Sequence, residues 1–284
     1  MIRSILRRRL GAPAVAAAAV LAAAIGLPHD AVAQRARPAV QGTDLCADRT
    51  LTQNGTISGN LDLPAGSYTV PTCSINVRDG ATLTLQSGVS LAFGEGQSLS
   101  VASGGSLNVQ GASAGDVRMQ SNASTQAPGD WSGLTFSRGA RVALRGLEVR
   151  HAGRNNGPTL RVLNDGVVLS NVHLADGLGQ GVAVTQFGVR IEGSTIERHG
   201  REGVAIQPQA GEELPLVALH DTNLSENGGP AVLVNGPVRL ETSGNSAEDN
   251  GVNAIVLSGT TYEGDATLAG GDLPYVVTGV IAVR

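Results

Sequence analysis

Five charged or titratable residues, His151, Asp176, Arg198, Glu226 and Asp249, recur at separations of 25, 22, 28 and 23 residues. If the chain returns to the same side of a coil once per repeat, successive members lie one strand spacing apart, ~5 Å. Asp176 then sits between His151 and Arg198, which would hold its carboxylate ionised and raise the basicity of His151. His151, Asp176 and Arg198 are therefore the candidate catalytic residues, for acid–base work on a glycan, and the nearby Arg150, His173 and Glu197 are candidate binding residues. A solvated ladder of charges is the competing account of the same column. Farther along, Glu226, Glu248 and Asp249 bring three carboxylates onto neighbouring repeats, an oxygen-rich set suited to Ca²⁺, the one cofactor the pattern suggests. His151, His173, His199 and His220 fall in four different columns and do not converge as zinc ligands would. Asn227 and Asn250 share a column with His199 and Gly177, where asparagine tolerates left-handed backbone and can bond to the next coil, so a structural ladder is expected. Trp131 could stack on a sugar, but its place in an alternating apolar stretch favours packing.

The segments that must position these residues are repeats. Residues 171–184, 193–206, 221–234 and 244–257 are copies of one fourteen-residue pattern, and residues 146–162 are a fifth copy with a three-residue insertion. A period of 22 to 28 residues means a solenoid. Five apolar columns run through the copies: Val142, Val167, Val189, Val217 and Leu240; Leu144, Leu169, Ile191, Leu219 and Thr242; Val149, Leu174, Ile196, Leu224 and Ala247; Leu160, Val182, Val204, Val232 and Ile255; Val162, Val184, Ile206, Val234 and Leu257. Each coil thus carries three short strands. Upstream, alternating pairs such as Leu61/Leu63, Leu83/Leu85 and Leu107/Val109, broken by glycine-containing turns, show the same half-buried strand signal. The consensus of leucine-rich repeats is absent. The predicted fold is all-β, a coil with three short strands to each turn. A buried aliphatic side chain contributes about 1.5 to 3 kcal/mol against roughly 1.5 kcal/mol of ordering entropy per residue, so no coil stands alone and only the stack folds. The longest repeat carries an extra loop at 207–215, which must leave the wall of the solenoid and could flank a binding surface.

The chain divides into a signal peptide at 1–33, a leader or linker at 34–43 and a β-helix domain at 44–284. Arg3 and Arg7, Arg8 and Arg9 precede an apolar run that ends at Ala31-Val32-Ala33, the arrangement of a cleavable export signal rather than of a membrane span. Export to the periplasm, the exterior or the cell surface is expected, with no transmembrane segment in the mature chain. Cleavage removes four arginines and Asp30, taking the formal charge from −4 to −7, which disfavours nucleic acid as a partner. All 20 basic residues are arginine, so lysine is removed from every catalytic role. Cys46 and Cys73, the two cysteines of an exported chain, are expected to form a disulfide at the first coil. Finally, YVVTGVIAVR (275–284) matches YTVPTCSINVR (68–78) with one deletion, as if a second, incomplete module begins there. That leaves an open end through which the protein is expected to self-associate or meet a partner.

GATLTLQSGVSLAFGEGQSLSVASGGSLNVQG (80–111) followed by GDWSGLTF (129–136) resembles the opening module of secreted and surface-associated bacterial β-helix proteins within the pectate-lyase-like superfamily. The resemblance implies the fold, a right-handed parallel β-helix with three sides, and spans residues 68–284. That scaffold carries lyases, hydrolases, epimerases, adhesins and tailspikes, so fold alone does not give activity. The catalytic patterns of its enzymes are not matched: there are no adjacent aspartates, and His199-Gly200 is only half of a Gly-His-Gly. The function expected is a non-catalytic exported protein of surface structure, adhesion or carbohydrate binding, with polysaccharide or cell-surface components as partners. The alternative is a polysaccharide-processing enzyme with an atypical site at His151, Asp176 and Arg198.

Overall fold

The computed structural model describes residues 41–47, 55–164, 166–185, 187–208, 214–259, 261–262 and 271–283. The expected signal peptide at 1–33, most of the expected linker and the centre of the loop at 207–215 lie outside the described residues. Among the described residues the chain passes in fixed rotation through three parallel sheets of nine, ten and eight strands, a β-solenoid of about nine turns. Its first coil is Thr43–Asp44, Thr56–Ile57 and Asn60–Leu63, and the next seven coils each add one strand to each sheet in the same order; Ser246–Glu248 then ends the first sheet, Val252–Leu257 and Tyr275–Val277 end the second, and Thr261–Tyr262 pairs with Ala282–Val283 in a separate two-stranded sheet. No helix of the described residues is long and apolar enough to cross a membrane.

The five apolar columns are in register, rung by rung. In the second sheet Leu160, Val182, Val204, Val232 and Ile255 stand beside one another, and Ile75, Leu99 and Leu134 extend the row toward the N-terminus. All eight are 1% exposed or less, so the row is continuous core. In the third sheet the row of Val167, Val189, Val217 and Leu240 is likewise preceded by Leu61, Leu83, Leu107 and Val142. The irregular N-terminal pairs and the clear C-terminal repeats therefore line the same interior. Period-2 alternation puts every second side chain inward, and parallel pairing gives each inward residue the same neighbour above and below. Trp131 belongs to this core: it is fully buried, stacks on Phe93 with ring centroids 4.3 Å apart, and its Nε1 donates to the Arg150 carbonyl at 2.7 Å.

Two corners turn through single left-handed residues. Between the third and first sheets the positive φ falls on Gly146, Asn171, Gly193, Asp221 and Gly244, residues suited to that conformation. After the first sheet it falls on His151, Asp176, Arg198, Glu226 and Asp249, with φ of 62°, 56°, 53°, 54° and 53°. The charged column of the sequence is therefore also the column that turns the chain, and its side chains are thrown outward at one corner. Gly177 follows Asp176 because a Cβ there would collide with the His199 ring and the Thr159 hydroxyl.

Cys46 and Cys73 are disulfide-bonded, tying the turn after the first strand to the second coil, and among the described residues no cysteine is free. At the other end Tyr275–Val277 pairs with Ile255, Val256 and Leu257 in the second sheet. Its sequence counterpart within Gly66–Val70 lies in the first sheet. The likeness of the two stretches is thus one of strand character and not of place in the coil.

The rows predict a sharp contrast between inward and outward substitutions. Val204→Asp places an unpaired charge in a dry row and should abolish the cooperative thermal transition, since such burial costs several kcal/mol. Ala143→Asp, at an exposed rung between Asn108 and Val168, should leave stability within about 0.5 kcal/mol of the parent. Equal losses in the two variants would contradict the assignment of faces.

Candidate functional site

Outward residues of the first sheet form a closed ring of ion pairs. In register, Arg118 stands beside Glu148, Glu148 beside His173 and His173 beside Thr195; two residues on, Arg150 stands beside Ala175 and Ala175 beside Glu197. Glu148 meets Arg150 Nε at 2.6 Å, and Arg150 Nη1 reaches Asp176 Oδ2 on the next coil at 3.0 Å. Asp176 Oδ1 accepts from Arg198 Nε at 2.8 Å, and Arg198 pairs with Glu197. His173 closes the circuit, with Nε2 2.9 Å from Glu197 and Nδ1 3.4 Å from Glu148. Arg118 joins from outside, 3.3 Å from Glu148. Ala175 faces outward and yet is wholly buried. Its methyl leaves room for Arg150 and Glu197 on either side, and a longer side chain would prop the ring open.

The ring fixes protonation states. The hydrogen bond from His173, with those of Arg150, outweighs burial and holds the Glu148 carboxyl down at about 2. Burial works against the charge of Asp176, but the bonds and charges of Arg198 and Arg150 win and keep its pKa below the ordinary value. His173 is pushed above its ordinary 6.5 by its bond to Glu148 and then to Glu197, with burial opposing. With a carboxylate at each ring nitrogen, His173 satisfies both only as the imidazolium, donating twice.

The structure thus brings together Asp176, Arg198, Arg150, His173 and Glu197. His151 does not join them. Asp176 is engaged by the arginines, Nδ1 of His151 is buried with no hydrogen-bond partner, and burial lowers the pKa of the ring despite nearby Asp176 and Asp130. The expected rise in basicity is therefore corrected to a fall, because burial of the ring outweighs the pull of Asp176 and Asp130, and Arg150 works in the same direction as burial. Glu226, Glu248 and Asp249 are exposed on successive coils, linked through the backbone where Glu226 N–H donates to the Glu248 carbonyl at 3.0 Å. Among the described residues no group of three or more His, Cys, Asp or Glu could hold a metal ion.

Behind the ring, at the same corner, runs a buried ladder of side chains. His199 Nδ1 donates to Asn227 Oδ1 at 3.2 Å, and its Nε2 accepts from the Thr159 hydroxyl at 3.2 Å. The tautomer follows from Asn227, whose amide nitrogen donates to the Ile196 carbonyl and to Asn250 Oδ1, leaving its oxygen to accept. Asn250 in turn donates to the Leu224 carbonyl and to Asn253. Burial drives the His199 pKa down to about 4, so the ring is neutral at neutral pH.

Two grooves lie along one outward row of the second sheet, which reads Thr56, Asn76, Ser100, Thr135, Arg161, Ala183 and Ala205 in register. The N-terminal groove, about 470 Å³, is lined by Thr56, Asn76, Arg78, Ser100 and Ser137 among others. The C-terminal groove, about 260 Å³, takes Asn156, Arg161, Gln180, Thr185, Arg201 and Gln207, over a floor that includes Ala183 and Ala205. Arg161 makes no ion pair among the described residues, whereas Arg201 Nη2 is 3.3 Å from Glu202. The other oxygen of Glu202 is buried without a partner, one coil along from Gln180. Sequence reasoning missed Arg118 and Glu148 in the ring and Arg161, Gln180 and Arg201 in the groove. Glu148 was within reach of it: two residues before Arg150 in one strand, it must share that face.

Residues 55–181 match the family described as pectate-lyase like beta helix domain. That segment holds coils from both the irregular N-terminal half and the regular repeats, and the same stacking continues beyond it. No curated protein and no solved structure matches the chain. The chain is a parallel β-solenoid, and its residues 55–181 are similar to that family.

The buried His199 predicts a loss of stability in mild acid. Its folded pKa lies below the unfolded 6.5, so its contribution is intact above about 6.5 and is lost as pH falls toward about 4. His199→Gln should flatten the dependence of the melting temperature on pH within that window, whatever it does to the absolute value. Parallel profiles for the two proteins would contradict a neutral, buried His199.

Proposed function

We propose that this is an exported, non-catalytic β-helix protein that binds carbohydrate along the outer face of its second sheet. The observation that carries the reading is the pair of grooves on one continuous row. One is lined by hydroxyls, an amide and the Arg78 guanidinium group and the other by amides, a hydroxyl and two guanidinium groups. A linear polymer laid across the coils meets a new rung at each step, and its hydroxyls find donors and acceptors that need no reorganisation. Arg161 and Arg201 suit a carboxylate or sulfate on such a polymer. Export is supported by the leader and by the disulfide, which persists in oxidising compartments. Cell-surface structure or adhesion is the setting that such a binding face fits.

The ring supports the absence of turnover. Cleaving a glycosidic bond by the usual route needs a carboxylic acid able to donate a proton and a second carboxylate. Glu148 and Asp176 are instead held ionised, and both nitrogens of His173 are occupied. One observation favours a second reading, a polysaccharide-processing enzyme centred on His151, Asp176 and Arg198: the His151 ring, with its pKa lowered, has an unpartnered nitrogen.

A glycan array of acidic and neutral polysaccharides, followed by a degradation assay on every glycan retained, tests both readings. Binding without release of products is expected. Arg161→Ala combined with Arg201→Ala should weaken binding of acidic glycans at least about tenfold, since a hydrogen bond to a charged group contributes about 1.5 to 3 kcal/mol. Product release that His151→Ala abolishes would establish the enzyme instead, and retention of no glycan would overturn the binding reading.

A further inference from the structure

We infer that His173 is the pH-sensitive closing member of the first-sheet ring, and that the ring holds together the two turns, at 176–181 and 198–203, that wall the C-terminal groove of the second sheet. The link to the groove rests on the binding reading above; the clasp itself does not.

The geometry runs through the first residue of each turn. Asp176 opens the turn that carries Gln180, and Arg198 opens the turn that carries Arg201, both groove-lining residues. Asp176 and Arg198 are joined by bonds of 2.8 and 3.4 Å, so the two turns are coupled at their roots. Beyond that root the turns are tied by backbone bonds, Gly200 N–H to the Gly177 carbonyl at 2.9 Å, Arg201 N–H to the Gly179 carbonyl at 3.2 Å and Gly181 N–H to the Glu202 carbonyl at 3.0 Å. Each partner of Asp176 and Arg198 is in turn held by the ring: Arg150 by Glu148, and Arg198 by Glu197. His173 is the member common to Glu148 and Glu197, and without its second proton one of those carboxylates faces a ring lone pair.

The groups that face His173 come from every strand beside it. Glu148, flanked by Arg118 and Arg150, lies on the preceding side; Thr195, Glu197 and Arg198 lie on the following side; Asp176 belongs to its own segment. The arginines stay charged at every pH of interest and Glu148 and Asp176 are held ionised, so among these groups His173 is the one poised to change charge near neutrality. Its pKa is raised, so the clasp is fully closed below the ordinary 6.5 and opens as pH rises through the folded value. The groove is therefore firmer in mildly acidic surroundings than in alkaline ones.

The test uses the full protein with labelled histidine, followed by NMR from about pH 5 to 9, alongside amide exchange corrected for its intrinsic pH dependence. His173 should titrate above 6.5, and protection of the amides in 176–181 and 198–203 should fall through that same transition while the row at 217–220 stays protected. Glu197→Gln should move both changes to lower pH together. A His173 that titrates at or below 6.5 overturns the clasp, as does unchanged exchange in the two turns across its titration. Binding of any array-positive acidic glycan should weaken several-fold across the same transition. If exchange responds and no glycan binds at any pH, the clasp stands and the binding reading falls; if glycan binds with no pH response although exchange responds, the link to the groove is overturned.

Discussion

One coil rests on the next in register, and every other feature of the molecule depends on it. Parallel pairing saturates the backbone of each strand with partners on the coils above and below, which no single coil could supply for itself. Because side chains alternate with a period of two, a slip of one residue would throw a whole valine row into water and a charged row into the core. The cost of that error grows with the number of coils, so the register is fixed more firmly than any one contact is. The left-handed corner residues serve the same end: in the last five coils a single residue of positive φ turns the chain at the same place, and non-glycine residues there accept a strain on the order of 1 kcal/mol.

The register that aligns valines also aligns polar groups, and depth decides what those groups do. At the corner after the first sheet, the outer side chains at and before the turn are half exposed and form ion pairs that water screens. Immediately inside, His199 and Asn227 are cut off from water, so each donor and acceptor must find a partner, and Asn227 and the half-buried Asn250 supply them by bridging coils. The two layers answer pH in opposite senses. Burial makes His199 a weak base that loses stability in acid, while carboxylates make His173 a strong one that lets go in alkali. Stability is thus drawn down on both sides by two histidines on neighbouring coils, His173 in a strand of the first sheet and His199 in the turn after the next strand.

Much of this was legible in the sequence because the relevant physics is periodic. The five apolar columns, the charged turn column and the asparagine ladder are all statements about residues one repeat apart, and each is found in register. What periodicity does not carry is which of several neighbours a side chain chooses. Asp176 has His151 and Arg198 in its own column, yet its partner on the preceding coil is Arg150, whose longer reach and fixed charge win over imidazole. Glu148 was missed because its row reads Arg118, Glu148, His173, Thr195, Asn223, a succession with no repeated chemistry. The groove was missed for a different reason: Arg161 and Arg201 come from a strand and a turn of different coils and meet across two alanines whose significance lies in being small.

The account stands or falls on the coil as the unit of register. Removing residues 181–202 excises one whole repeat, joining Gln180 to Gly203, the equivalent of Gly181, and all rows on either side should close up unchanged. Removing half as many residues from the same point leaves the downstream strands facing the wrong sheets. Circular dichroism and thermal unfolding of the two shortened proteins give the answer directly. The account predicts a β-rich spectrum and a single cooperative transition for the whole-coil deletion, and loss of both for the half-coil deletion. Equal tolerance of the two deletions, or equal collapse, would contradict it.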